Sequence, residues 1–177
     1  MAGEVFNDFA NPKVETKRFK IYADVGGTTT PTWELQGRGI ESWSVNEGSD
    51  VTKTPDVLGM VDMERGIAQP TQTGVNVKLR KGSKLAEMLF TAWYSRSMDK
   101  LNAVKILQKF EFAPSTTEGS CLARLEEDVM ISINSFNGEA NGYLGFDIDI
   151  HYANKTTLGT MTITDGETVT FTPATGS

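Results

Sequence analysis

A chain of 177 residues can bury a core without disulfides or metals, but it is short for an enzyme built of two domains closing over a nucleotide. Its single cysteine, Cys121, excludes an internal disulfide framework, and with a single histidine, His151, no zinc site can be assembled from these residue types. The net charge of −6 is unevenly spread, −4 over residues 1–77, +6 over 78–109 and −8 over 110–177, which favours complementary surfaces meeting in self-assembly over a nucleic-acid-binding patch.

We read residues 1–177 as one domain. Its first sixteen residues are polar, with scattered Val5, Phe6 and Phe9, and read as an arm that packs only when something receives it. This start lacks the basic and apolar regions of a signal peptide, and no apolar run in the chain is long enough for a membrane span. From Phe19, Phe19, Ile21 and Ala23 alternate with Lys20 and Tyr22, the period of a half-buried strand. "DVGGTTT" follows. Asp-x-Gly-Gly-Thr is a phosphate-gripping signature in actin-like kinases, but no second phosphate loop accompanies it: "TDGET" at Thr164 to Thr168 lacks the Gly-Gly step. It is better read as the turn joining two strands, with Asp24 a turn or surface carboxylate.

"TWELQGRGIESWSV" resumes in extended form with Trp33 and Leu35 on one face, Gly37 and Gly39 marking a bulge or bend. From Asn46 to Thr73 no period is sustained. Such a long stretch usually serves as a lid or binding arm, and Val57, Leu58, Met60, Val61 and Ile67 need a surface to cover. A strand follows on Val75, Val77 and Leu79. Ser83 then caps a helix over residues 83–98 whose Leu85, Met88, Leu89, Ala92 and Trp93 fall on one face.

The rest reads as strands. "VKILQKFEFA" carries Ile106, Phe110 and Phe112; "CLARLEEDV" is a loop leading into a strand with Val129, Ile131 and Ile133. In "NGYLGFDIDIHY", Leu144, Phe146, Ile148, Ile150 and Tyr152 point one way and Tyr143, Gly145, Asp147, Asp149 and His151 the other. "GTMTIT" and "TVTFTP" form a last hairpin, with residues 173–177 a tail. The expected fold is mainly β, an antiparallel β-sandwich or partly open barrel with one packed α-helix and a long assembly loop. Cys121 reads as a small buried apolar side chain and His151 as an ordinary surface or interface residue. Asp147 and Asp149, like Glu126, Glu127 and Asp128, read as solvated acidic groups rather than glycosidase carboxylates, which sit across a cleft. No catalytic residue, metal or cofactor is expected.

Two stretches, "WELQGRGIESWSVNEGSDVTKTPDVLG" and "DVMISINSFNGEANGYLGFDIDIHY", followed by "LGTMTITDGETVTFTP", resemble the major tail tube proteins of long-tailed bacteriophages, especially those with non-contractile tails. That resemblance implies a structural, non-enzymatic virion protein, made and assembled in the host bacterial cytoplasm. It implies a β-sandwich subunit that forms six-fold rings, stacked into a hollow tube through which the genome leaves. Its partners are then further copies of itself, other tail proteins such as the tape measure and terminator, and genomic DNA in transit without sequence-specific binding. Thr54, Pro55, Asp56, Val57, Leu58, Gly59 and Met60 become the ring-stacking loop, and the two termini order on assembly. Asp147 and Asp149, or Glu126, Glu127 and Asp128, become the channel lining. The alternatives are a head-tail connector, a capsid decoration protein or a tube of the contractile or secretion type. From other classes come a carbohydrate-binding β-sandwich with Trp43 or Tyr143 as stacking platform, and the nucleotide enzyme.

Overall fold

The computed structural model describes residues 14–26, 31–36, 44–48, 51–55, 57–58, 60–138, 140, 142–164 and 168–174. The predicted N-terminal arm therefore falls mostly outside the described residues, as do Gly37, Gly39, Trp43, Asp56, Gly59 and the last three residues of the tail.

Eleven described strands and one α-helix follow one another. They are β1 Phe19–Asp24, β2 Trp33–Gln36, β3 Ser44–Asn46, β4 Val51–Pro55, β5 Val61–Arg65, β6 Thr71–Lys78, α1 Lys84–Ser95, β7 Val104–Pro114, β8 Cys121–Asn137, β9 Gly145–His151, β10 Lys155–Thr164 and β11 Thr168–Pro173. All pairings are antiparallel. The fold is mainly β with one helix, as the sequence predicts.

The long β8 joins two sheets. Its first half, Cys121 to Glu127, lies between β7 and β10 in sheet I, ordered β2-β1-β7-β8-β10-β11. Its second half, from Met130, pairs with β9 in sheet II, ordered β8-β9-β6-β3. The handover occurs at a bulge: Val104 faces Val129 and Ile106 faces Glu126, so two residues of β8 oppose one of β7. Asp128 sits there at φ 55, the left-handed region Asp tolerates better than most residues. The strand thus starts at Cys121, where the sequence led us to expect a loop; the bulge interrupts the alternation by which a strand is recognised.

The main core lies between the inner faces of both sheets and is closed by α1. Ile21, Ala23, Val104 and Ile106 from sheet I meet Val75, Val77, Ile131, Phe146, Ile148 and Ile150 from sheet II, with Leu85, Ala86, Leu89 and Ala92 of the helix. The helix starts as predicted at the Ser83 cap, whose Oγ accepts from Ala86 N at 3.2 Å; it ends earlier, at Arg96 in the left-handed conformation. Glu34 of β2 receives Ser83 Oγ and Leu85 N, both at 2.8 Å, and so ties the helix N-terminus to sheet I.

A second cluster, Tyr22, Leu107, Ala123 and Met161, occupies the other face of sheet I, flanked by Trp33, Leu125, Ile163, Val169 and Phe171. Tyr22 was expected to point outward. It is buried, because its strand is covered on both faces.

The turn after β1 is closed by Asp24, whose Oδ1 accepts from Gly26 N at 3.1 Å and Thr32 N at 2.9 Å. Its phosphate-loop appearance is thus explained by turn chemistry; Gly27 lies outside the described residues. The stretch from Asn46 to Thr73 is not structureless. It contains β4 and β5, a two-stranded hairpin whose strands, among the described residues, pair only with each other.

Candidate functional site

The candidate site is the face of sheet II turned away from the core. Register places Met130, Ser132 and Ser135 of β8 beside His151, Asp149 and Asp147 of β9, with Thr71 and Asn76 of β6 beyond, and Ser44 and Asn46 of β3 at the margin. Strand alternation creates this face: Phe146, Ile148 and Ile150 go inward, so their neighbours Asp147, Asp149 and His151 go outward. It is dominated by small polar side chains that are already hydrogen-bonded to one another.

Asp147 is its most constrained member. Its Oδ1 accepts from Asn76 Nδ2 at 2.7 Å and its Oδ2 from Ser135 Oγ at 2.7 Å and from Asn137 Nδ2. The Ser135 hydroxyl first, then Asn76, favour the ionised carboxylate and hold Asp147 below the usual carboxylate range. Asp149 Oδ1 accepts from Gly74 N at 3.2 Å, at a β6 bulge where Gly74 takes φ 69. Ser132 Oγ lies 3.2 Å from His151 Nε2. Both predicted aspartates are therefore brought to one surface.

The second predicted acidic cluster does not form a surface patch. Glu126 is buried, its carboxylate taking Arg124 Nε at 2.9 Å and Thr156 Oγ1 at 2.6 Å. Glu127 pairs with Lys105 at 3.2 Å and Asp128 with Lys155 at 3.0 Å, so each carboxylate already faces a cation. Arg124 also donates through Nε and Nη2 to Gln108 Oε1 at 3.0 and 2.7 Å. Nearby, the Tyr152 hydroxyl donates to Gln72 Oε1 at 3.0 Å, and burial pushes this phenol up to about 12. Sequence reasoning missed this buried polar seam. Its only signal was a glutamine within each of two strands, and such residues usually face water.

The predicted stacking residues divide between strand and tip. Thr54 and Pro55 belong to β4, whereas Val57, Leu58 and Met60 lie at the exposed end of the hairpin. Cys121 is buried, and burial pushes its thiol up, which opposes nucleophilic use. Among the described residues no group of three or more His, Cys, Asp or Glu could hold a metal ion. None of their helices is long and apolar enough to cross a membrane.

Two margins of sheet II are open. Among the described residues, β3 has a strand partner only on its β6 side, and β8 beyond Val129 pairs only with β9.

No protein-family model and no curated protein sequence matches the chain. Solved structures do. The chain is similar to the sheath/tube terminator of an extracellular contractile injection system (PVC) in its extended state, with TM-score 0.51 and 13% identity over 85% of this chain and 99% of that one. The tube-terminating cap of the anti-feeding prophage (AFP) aligns at TM-score 0.48 and 14% identity, over 89% of this chain and 98% of the cap. The likeness to the PVC terminator shows a shared fold. That protein is part of a contractile injection system.

Proposed function

We propose that this chain is a structural, non-catalytic subunit of a phage-tail-like tube that assembles by self-association into rings, with six-fold symmetry as the working expectation. The observation that carries the reading is sheet II: a polar, hydrogen-bonded face flanked by two strands, β3 and the second half of β8, whose outer edges have no strand partner among the described residues. An open sheet edge is normally a liability, and protein designs avoid or cover it. Here β3 of one copy and the second half of β8 of the next offer different edges. Such a heterologous contact closes into a ring when the rotation between copies permits. The strands then form one barrel whose inward surface is the polar face.

On this reading Asp147 and Asp149 line the lumen, while Glu126, Glu127 and Asp128 serve within the subunit. Ionised aspartates repel nucleic-acid phosphates over a Debye length of about 8 Å, so DNA or another polyanion passes without adhering. The hairpin β4–β5 becomes the arm that reaches the next ring. A second reading, a terminator or cap that closes such a tube, is favoured by the PVC likeness, which runs over 99% of that chain. Either places the protein in a tail, among other tail proteins.

The test is sedimentation velocity with negative-stain electron microscopy at rising protein concentration. Rings that stack into tubes support the tube subunit, and rings that stay single support the terminator. A monomer at every concentration overturns both.

A further inference from the structure

Beside the start of α1 lies a cleft of about 570 Å³, within the size range of ligand sites. Trp33, Glu34, Leu35 and Gln36, the whole of β2, line it. Neighbours on a strand point to opposite faces, so a cleft touched by every residue of β2 runs along that strand's edge rather than over one face. The edge is open: among the described residues β2 pairs with β1 on one side and with no other strand.

Arg80, Lys81 and Lys84 line the same cleft; all three are exposed, and among the described residues none forms an ion pair. Its one lining carboxylate, Glu34, already accepts from Ser83 Oγ and Leu85 N. The helix N-terminus is thereby answered from within the chain, and the cleft keeps an excess of positive charge. Gln36 is the unexplained member. Its Oε1 and Nε2 are buried, and neither has a hydrogen-bond partner. An amide left this way inside a fold is costly, whereas a second amide offers it a donor and an acceptor at once.

We propose that this cleft binds an extended acidic peptide segment of another protein, added as a strand along the edge of β2. The open edge supplies main-chain hydrogen bonds, and the apolar Trp33 and Leu35 accommodate side chains of the added strand. The unpartnered amide of Gln36 matches a peptide group, and the exposed cations select carboxylates and steer their approach. Nucleic acid meets the cations but has no main chain to pair with the strand edge. The inference is independent of the ring reading, whose edges are those of sheet II.

The probe is the acetylated peptide amide Glu-Val-Glu-Val-Glu-Val, titrated into the full chain by calorimetry, with Lys-Val-Lys-Val-Lys-Val and a short oligothymidylate as controls. Only the acidic peptide should bind, and less tightly as salt rises. Gln36→Leu should weaken binding at least about tenfold while raising the Tm of the free protein, because it removes the unpartnered amide. A Gln36 that served the fold alone would instead lose stability on substitution. Arg80→Glu combined with Lys81→Glu, both at the surface, should weaken binding by a similar factor without lowering Tm. No binding of the acidic peptide, binding unaltered by Gln36→Leu, or a lower Tm for Gln36→Leu overturns the proposal. Oligothymidylate bound as tightly as the acidic peptide overturns it too, in favour of a site that reads charge alone.

Discussion

The two sheets share a strand yet treat their second faces in opposite ways. Sheet I carries the main core on one side and, on the other, Tyr22, Leu107, Ala123 and Met161, shielded by its own Trp33, Leu125, Ile163, Val169 and Phe171. Sheet II has the same core on one side and hydrogen-bonded Ser, Asn, Thr and Asp on the other. Sheet I is thus covered on both faces by its own chain, whereas sheet II keeps a water-compatible face; among the described residues both sheets end in strands with one free edge, β2 and β11 in sheet I, β3 and the second half of β8 in sheet II. On the proposed reading, that wet face turns inward while its edges pair with neighbouring copies.

The largest effect that can break this comparison is at Leu107, fully buried on the far face of sheet I. If that face is a real core, Leu107→Ala loses about 2–5 kcal/mol, seen as a fall in Tm of several degrees per the usual scaling for a domain of this size. A loss under about 0.5 kcal/mol, the range of surface substitutions, would make sheet I one-sided like sheet II. Glu126→Gln comes next. It removes the charge that receives Arg124 and Thr156, costing about 1.5–3 kcal/mol in urea unfolding, and an unchanged midpoint would dismiss the polar seam as a stabilising element. Ser83→Ala strips the helix cap and one hydrogen bond to Glu34, for about 0.5–2 kcal/mol, with helix content followed by circular dichroism.

On sheet II the expected effects are smaller and depend on pH. The folded-state pKa of Asp147 is lowered, so its contribution is present above the ordinary carboxylate value of about 4 and disappears as pH falls through the lower folded value. Relative to wild type, Asp147→Asn should therefore narrow its Tm deficit as pH drops from 6 towards 3. A deficit that is constant across that range removes the charged hydrogen-bond network from the account. Smallest of all, Ser132→Ala on the polar face should stay within about 0.5 kcal/mol. A large loss there would mean that this face is internally structural rather than a solvent surface.

The same contrast explains what could be read from the residues. Strand β9 was legible, residue by residue, because one face is apolar and the other wet, so Phe146, Ile148 and Ile150 alternate visibly with Asp147 and Asp149. Strands β1 and β7 hide their pattern: Ile21-Tyr22-Ala23 and Ile106-Leu107-Gln108 are buried consecutively, covered on both sides. The helix announced itself through its cap and stripe. Asp147 and Asp149 could be placed together because i and i+2 on a strand always share a face. Glu126 could not be separated from Glu127 and Asp128 by sequence alone, since the bulge at Asp128 decides which carboxylate turns inward.

The sequence by itself determined the β class, the helix with its Ser83 cap and the alternation of β9, because these follow from local backbone preference and from a single burial boundary. Only the tertiary structure decided that β8 belongs to two sheets and that Tyr22 and Glu126 are inside. Those outcomes depend on which strands become neighbours, and a side chain's environment is set by contacts far away in the chain.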